Sequence, residues 1–389
     1  MSQIRGNETV VAGEKESLQI ANCKLQILCL APIWMRQFAI SAAVVLNVGL
    51  AWGQLPELRQ GSAVPHEVRD IYDRGLQYLA NSQTAGGDWQ NTGQQGPGVT
   101  GLCLMTLLAS GEDPNFGPYS AHVRAALRSI IQSQDTASGC IGPGNMYHHG
   151  FAMLGLAEAY GAVDDHNLWS AAPARRAVSA NVGGGGGRSV GQALELAVRC
   201  ALASQKQNPF GGWRYSPNAR DADTSVSGAV LVGLLAARNA GIEVPDQAID
   251  RALAYYRQST GGDGSVGYSG GMGGGPGDSL ARSSIATLVY AVARRKDLKE
   301  YKATLEYLKN ERGQGRNHND EYTFYYQAQA LYQGDPDAWE KWNKAQIRRL
   351  KDTQQADGSF ASPFGQAYGT SMSLLVLAVN YRFLPIYER

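Results

Sequence analysis

The sequence predicts an all-α protein: an α/α toroid of about six helical hairpins, in which an outer ring of helices surrounds an inner ring. Two observations carry this prediction. From about residue 66, a stretch with apolar residues three and four positions apart alternates six times with a stretch that is apolar on nearly all sides. Because the last pair ends in an apolar stretch rather than a polar cap, a closed ring is favoured over an open solenoid.

The amphipathic stretches are expected to form the outer ring, because each has one face to bury. They are Val68–Leu79, Val123–Ile131, Val190–Ala201, Ile249–Tyr256, Leu305–Leu308 and Trp342–Leu350. The apolar stretches are expected to be fully buried and to form the inner ring. They are Gly101–Ala109, Gly150–Ala159, Val226–Ala237, Ser284–Ala293, Tyr322–Tyr332 and Ser371–Val379.

A polar turn with glycine follows each outer helix. The turns are Gln83–Trp89, Gln134–Cys140, Gln207–Trp213, Gln258–Val266 and Gln354–Phe360, with a degenerate fifth one at Asn310–Gly313. Glycine supplies the positive φ that follows a helix C-terminus, and the glutamine amide suits the unpaired backbone groups there. These turns, with two glycine-rich loops near 183–187 and 261–277, account for much of the glycine content of 47 residues.

The N-terminus predicts export. Residues 38–52 form an uncharged apolar run that follows Met35 and Arg36, and Ala51 to Gly53 offers small residues for cleavage. The expected organisation is an N-terminal extension with a signal peptide at 1–53, a linker at 54–65 and the toroid at 66–389. The expected location is periplasmic or extracellular, and an uncleaved membrane anchor is the alternative.

Composition and net charge limit the classes of partner that the protein is expected to bind. The net charge is +1 and charged residues make up 18% of the chain, so no surface suited to nucleic acid is expected, and membrane contact is expected only through an uncleaved N-terminus. Cys103, Cys140 and Cys200 form no paired motif and are expected to be isolated, inert thiols.

The turns, of the form Gln-x-x-x-Gly-x-Trp/Phe, resemble the repeats of the prenyltransferase and squalene-cyclase superfamily over residues 66–389. The most specific part is Gly211-Gly-Trp213-Arg-Tyr215, followed by Asp221-Ala-Asp223-Thr224. The tail, 381–389, resembles exported repeat proteins of planctomycete-type bacteria whose activity is unassigned. The resemblance implies a central cavity rimmed by the N-terminal ends of the inner helices.

Asp221 and Asp223 are the catalytic candidates. Squalene–hopene-type cyclases carry Asp-x-Asp-Asp-Thr at a comparable place, and their central Asp protonates an alkene. That chemistry needs a carboxyl group with a raised pKa. This chain is one Asp short, so either Asp223 or Ala222 takes the central position. The structural alternative is that Asp221 or Asp223 caps an inner helix.

Further candidates for the cavity are Tyr147, His148, His149, Thr224, Tyr322, Tyr326 and Tyr368. One of the two histidines is expected to bond a neighbouring loop and the other to face the cavity. The aromatic rings could hold an isoprenoid or pack in the core. Zinc, which protein prenyltransferases of this type bind, lacks a full ligand set here, so no cofactor is expected. Asp278 and Asp320 precede inner helices as possible caps.

Two classes of function remain open. The first expectation is an exported, non-catalytic toroid that binds a hydrophobic ligand, a peptide or a protein partner in its cavity. The alternatives are a terpene-cyclase-like enzyme with Asp223 as proton donor and a zinc-dependent prenyltransferase-like enzyme. The resemblance itself weighs against the enzymes, because squalene-type cyclases use two such barrels and prenyltransferases need zinc and a partner subunit.

Overall fold

The computed structural model describes residues 64–90, 96–142, 144–166, 168–169, 187–269, 279–310 and 320–387. Within these ranges the protein consists of twelve α-helices and one short 3₁₀ helix, and it has no strands beyond isolated bridges. The α-helices are α1 His66–Ser82, α2 Pro97–Leu108, α3 Ser120–Gln132, α4 Met146–Ala159, α5 Val190–Gln207, α6 Thr224–Asn239, α7 Asp246–Ser259, α8 Ser279–Val292, α9 Lys299–Asn310, α10 Asp320–Gly334, α11 Pro336–Thr353 and α12 Gln366–Ala378.

The helices form two concentric rings, which confirms the predicted toroid. Each even-numbered helix packs against the next one, and α12 packs against α2, so the inner ring is closed. The odd-numbered helices lie outside, and α1 contacts both α11 and α12 across the point of closure. Every residue of α2 is buried, whereas α1 buries one face only, as the two sequence patterns predict.

Five glycines lock an outer helix to the next one, at five of the six junctions of the outer ring. Their φ angles lie between 76° and 88°, and a Cβ atom on any of them would come within 2.9 Å of a backbone carbonyl oxygen of the following outer helix. They are Gly87, Gly139, Gly211, Gly264 and Gly358. Because Gly358 meets the carbonyl of Arg74 in α1, the turn after the last outer helix closes the outer ring.

Hydrogen bonds from a glutamine side chain also link the turn to the next outer helix. In four turns its Nε2 donates to the carbonyl of the turn glycine and to a carbonyl of the next outer helix, at 2.7–3.0 Å. The four are Gln83, Gln134, Gln205 and Gln354. Thr260 takes the corresponding place four residues before Gly264. Gln207 and Gln258 were expected to provide the bonding side chain in two of these turns. That expectation was wrong, because Gln205 and Thr260 occupy these places.

The expectation of isolated thiols was wrong for two of the cysteines. Cys140, in the turn after α3, forms a disulfide with Cys200 in α5, with a Cα–Cα distance of 5.2 Å. The bond crosslinks neighbouring hairpins through residues that are 60 positions apart. Cys103 is a buried free thiol, as expected.

The C-terminal tail packs into the toroid at the end away from the inner-helix N-termini. Leu384, Ile386 and Tyr387, the last two in the 3₁₀ helix Pro385–Tyr387, are each 2% exposed. The backbone N–H of Ile386 donates to Glu158 near the C-terminus of α4, and the 3₁₀ helix also contacts α6. Access to the centre is therefore from the N-terminal side.

Several predictions concern residues outside the described ranges. These are the export segment 1–53, most of the linker, the glycine runs 183–186 and 270–276, the turn residues 311–313, Asp278 and the side chain of Asp320. None of the described helices has the length and hydropathy needed to span a membrane.

Candidate functional site

A cavity of about 490 Å³ lies where the N-terminal ends of the six inner helices converge. All six inner helices contribute to its wall, and the loops before them add further side chains. The lining residues are Gly98, Val99, Leu102, Asn145, Tyr147, His148, Phe151, Tyr215, Ser225, Tyr268, Ala281, Arg282, Tyr322, Thr323, Phe364 and Tyr368. Ten of these sixteen carry a hydrogen-bonding side chain, so the wall is both aromatic and polar.

Tyr147 is the centre of an aromatic cluster in this wall. Its ring stacks on Phe151 at 6.2 Å and meets Tyr215 at 5.9 Å and Tyr322 at 6.5 Å between centroids. Burial raises the pKa of the hydroxyl groups of Tyr147 and Tyr322 well above the ordinary value. Both side chains are therefore neutral hydroxyl groups at any physiological pH.

Tyr215 and Tyr268 reach the cavity from loops rather than from helices. The carbonyl of Tyr215 accepts from the N–H of Met146 at the start of α4, and that of Tyr268 accepts from Thr224 at the start of α6. Because these are unpaired donors of helix N-termini, the bonds fix both loops on the rim. The two hydroxyl groups lie 2.8 Å apart and hydrogen-bond to each other.

Arg214 lies behind this tyrosine pair. Its guanidinium carbon is 5.3 Å from the ring centroid of Tyr215 and 5.4 Å from that of Tyr268, so it contacts both rings. Two carboxylates approach the same guanidinium, Asp221 at 3.5 Å and Asp223 at 3.6 Å. The tyrosine pair is thus supported by an ionic cluster.

Asp223 is the N-cap of α6 and is completely buried. Its Oδ1 accepts from the N–H of Val226 at 2.7 Å, while Oδ2 makes no hydrogen bond among the described residues. Burial raises the pKa of this carboxyl to about 6, and the Val226 N–H and Arg214 oppose that rise. Asp223 does not line the cavity, and Asp221 has a largely exposed side chain.

Replacing Asp223 with asparagine is expected to keep the helix cap and to remove this residue's contribution to the pH dependence of the free energy of unfolding. The folded pKa of Asp223, about 6, exceeds the ordinary 3.8, so its stabilising contribution is complete below about pH 4 and is lost as the pH rises through 6. The loss amounts to about 2–3 kcal/mol for a group buried this deeply. Asp223→Asn should therefore unfold with a higher free energy than the parent above pH 6.

Urea unfolding at about pH 4 and about pH 7.5 measures this difference, with Asp223→Ala as the control. Alanine cannot accept the Val226 N–H, so it should be less stable than asparagine by about 0.5–2 kcal/mol at both pH values. Equal stability of parent and Asp223→Asn at both pH values would contradict the raised pKa.

The two adjacent histidines have different surroundings. His149 is buried: its Nδ1 accepts from the Ile141 N–H at 3.0 Å, and its Nε2 lies 3.0 Å from the Ala197 carbonyl. This pattern places the proton on Nε2, and burial lowers the pKa to about 4, so the ring is neutral. His149 therefore bonds the loop, contrary to its inclusion among the cavity residues, whereas His148 lines the cavity.

The remaining candidates also divide between cavity and packing. Tyr322 and Tyr368 line the cavity with Tyr147. Thr224 is buried, and its hydroxyl donates to the Gly267 carbonyl at 2.8 Å. Tyr326 packs behind Tyr322 at 5.0 Å and is outside the lining set.

Sequence reasoning missed Tyr215, Tyr268 and Arg282. A positional signal was present for the two tyrosines, because each stands two residues after the buried residue that ends a turn, Trp213 or Val266. No comparable signal marked Arg282, whose Nε donates to the Val266 carbonyl. In the part of the chain that the structure describes, no three His, Cys, Asp or Glu side chains are grouped to hold a metal ion.

The comparisons with known proteins give a family. The model of a domain of unknown function, DUF6288, matches residues 68–372. The chain belongs to this family. No curated protein sequence matches the DUF6288 chain.

Solved structures share the fold of the DUF6288 chain. An inactive variant of the α-1,6-mannanase GH76A of Salegentibacter sp. HEL1_6, in complex with α-1,6-mannotriose, has a TM-score of 0.59 at 8% identity, covering 81% of this chain and 99% of that one. The type II terpene cyclase MstE from Scytonema, in its apo form, has a TM-score of 0.54 at 16% identity, covering 82% and 100%. At sequence identities of 8% and 16%, this similarity is evidence for a shared fold alone.

Proposed function

We propose that this DUF6288 toroid binds a small amphipathic ligand in its central cavity and does not use Asp223 as a proton donor. The observation that carries the proposal is the wall itself, a space of about 490 Å³ with aromatic rings and ten hydrogen-bonding side chains. Pockets for small molecules have about this size, with apolar surface for affinity and placed polar groups for orientation.

The terpene-cyclase-like alternative has less support. A proton donor must reach the substrate, but Asp223 lies outside the lining set and bonds the first turn of α6. A wholly hydrophobic ligand, as first expected, would also leave many polar groups of the wall unpaired, which costs free energy. The zinc-dependent alternative lacks support from the described residues, because no three His, Cys, Asp or Glu side chains among them are grouped to hold the metal.

Export fits this function and is part of the proposal. The apolar run at 38–52 has the composition of a signal segment, and the bond between Cys140 and Cys200 is of a kind that persists in oxidising compartments. Fractionation of expressing cells checks it, and a purely cytoplasmic protein would contradict it.

A cavity-filling variant tests the binding function. Ala281 lines the cavity from α8, so Ala281→Phe is expected to occupy part of the space. The parent and the variant are titrated with three probes of different chemistry: farnesol, benzyl alcohol and maltotriose. At least one probe should raise the melting temperature of the parent, with a Kd below about 1 mM, and should lose this effect in the variant.

The control is Gly262→Ala, at a position where an added Cβ has no neighbour within 4 Å, and it should bind like the parent. Binding that is unaffected by Ala281→Phe, or no binding by farnesol, benzyl alcohol or any of several neutral trisaccharides, would refute a ligand cavity. Turnover of a polyprene by the parent that Asp223→Asn abolishes would instead establish the terpene-cyclase alternative.

A further inference from the structure

We infer that the ligand is a neutral saccharide, and that Tyr215 and Tyr268 form a preformed platform for one of its rings at the mouth of the cavity. This inference rests on the proposed function, because it names the class of ligand that the same cavity takes. Three observations support it: the distribution of polar groups, the charge of the wall and the exposure of the platform.

The polar groups surround the cavity rather than forming one polar end. They come from α4, α6, α8, α10, α12 and the loops, and include Asn145, Ser225 and Thr323 beside the tyrosine hydroxyl groups. The hydroxyl group of Tyr322 is buried against that of Tyr147, so the polar groups within reach of a ligand are those of the other lining side chains. A ligand that carries hydroxyl groups on all sides can hydrogen-bond to such a wall, whereas a hydrocarbon cannot.

The described cavity wall offers no carboxylate to a cationic ligand. The described lining residues include Arg282 and no carboxylate, and burial keeps the Tyr147 and Tyr322 hydroxyl groups neutral. Arg214 already lies against the rings of Tyr215 and Tyr268, and the carboxylates that balance its charge, Asp221 and Asp223, are outside the described cavity wall. A neutral polyol needs no carboxylate partner.

The platform is exposed and held in place before any ligand binds. Tyr215 is 44% exposed, and among the exposed large hydrophobic side chains of the described residues it is the one that lines the cavity. Its hydroxyl bond to Tyr268 and the contact of both rings with Arg214 fix the two ring planes. Rigid aromatic rings with a polar edge offer contact area at little cost in conformational entropy.

Calorimetric titration of the full-length chain with maltotriose, cellotriose, xylotriose and α-1,6-mannotriose tests the inference. At least one of these saccharides should bind, and Tyr215→Ala should weaken its binding about tenfold or more. Tyr215→Phe keeps the ring and its contact with Arg214 but loses the hydroxyl bond to Tyr268, so it should bind more weakly than the parent and more tightly than Tyr215→Ala. Phe210→Ala is the matched control, since Phe210 lies in the same loop, is 46% exposed and does not line the cavity.

The outcomes separate the two proposals. If none of the four saccharides binds but farnesol or benzyl alcohol does, and Ala281→Phe abolishes that binding, the binding function stands and the saccharide inference is wrong. The inference is also wrong if Tyr215→Ala binds the saccharide as tightly as the parent. Saccharide binding that Ala281→Phe leaves unchanged would place the site outside the cavity and overturn both.

Discussion

A chain with alanine in place of Gly358 should be less stable than the parent by about 3–5 kcal/mol. Gly358 has a φ of +88°, which a residue with a side chain adopts only with strain. The added Cβ would also lie 2.2 Å from the carbonyl oxygen of Arg74, so α1 would have to move. Because α1 and Gly358 lie on opposite sides of the closure point, the substitution acts where the ring is joined.

Substitutions at two other glycines distinguish the two causes of this loss, which are backbone strain and the contact with α1. Gly241 has a φ of +94° but nothing within 4 Å of an added Cβ, so Gly241→Ala carries the backbone strain alone, about 1 kcal/mol. Gly262 has neither feature and should change stability by less than about 0.5 kcal/mol. Urea unfolding at one pH measures all three variants. A loss at Gly358 no larger than that at Gly241 would show that the contact with α1 imposes no constraint.

The fold could be predicted from the sequence because its determinants are local and repeated. An apolar face three and four residues apart, as in α1, and an all-apolar stretch, as in α2, each specify the surroundings of a helix. The turn register was harder, since the spacing from the bonding glutamine to the turn glycine varies: four residues at Gln83, five at Gln134 and six at Gln205.

The disulfide and the site depend on distances that no local pattern records. Cys140 and Cys200 meet because neighbouring hairpins pack side by side, and their separation in sequence carries no sign of it. Sequence placed Tyr147, His148 and His149 correctly at the start of α4, but successive residues of a helix point about 100° apart. Which of them faces the centre depends on how the helix is rotated, and that is set by packing.

The same limit applies to Asp223. Its position before an inner helix is visible in the sequence, and both a proton donor and a helix cap fit there. The bond to the Val226 N–H and the position outside the described cavity lining support the cap that we propose, and both depend on how the chain packs in three dimensions. The raised pKa alone does not, because burial raises the pKa of a carboxyl group in either role.

A chain that ends at Phe383 should lose about 5–8 kcal/mol of stability, enough to unfold a typical domain. The truncation removes Leu384, Ile386 and Tyr387, each 2% exposed, and burying one such side chain contributes about 1.5–3 kcal/mol. It also removes the bond from the Ile386 N–H to Glu158, leaving a buried carboxylate with one donor fewer. Circular dichroism during thermal unfolding measures the loss.

A chain that ends at Tyr387 is the matched control, because it retains all three buried side chains and should unfold at the parent's temperature. If the chain that ends at Phe383 proves too unstable to purify, Ile386→Ala gives the same information at smaller cost, about 2–4 kcal/mol. An unchanged melting temperature in Ile386→Ala would mean that the tail is not part of the core. A large loss would instead show that the toroid depends on residues beyond its six hairpins, because the buried tail packs against α4 and α6.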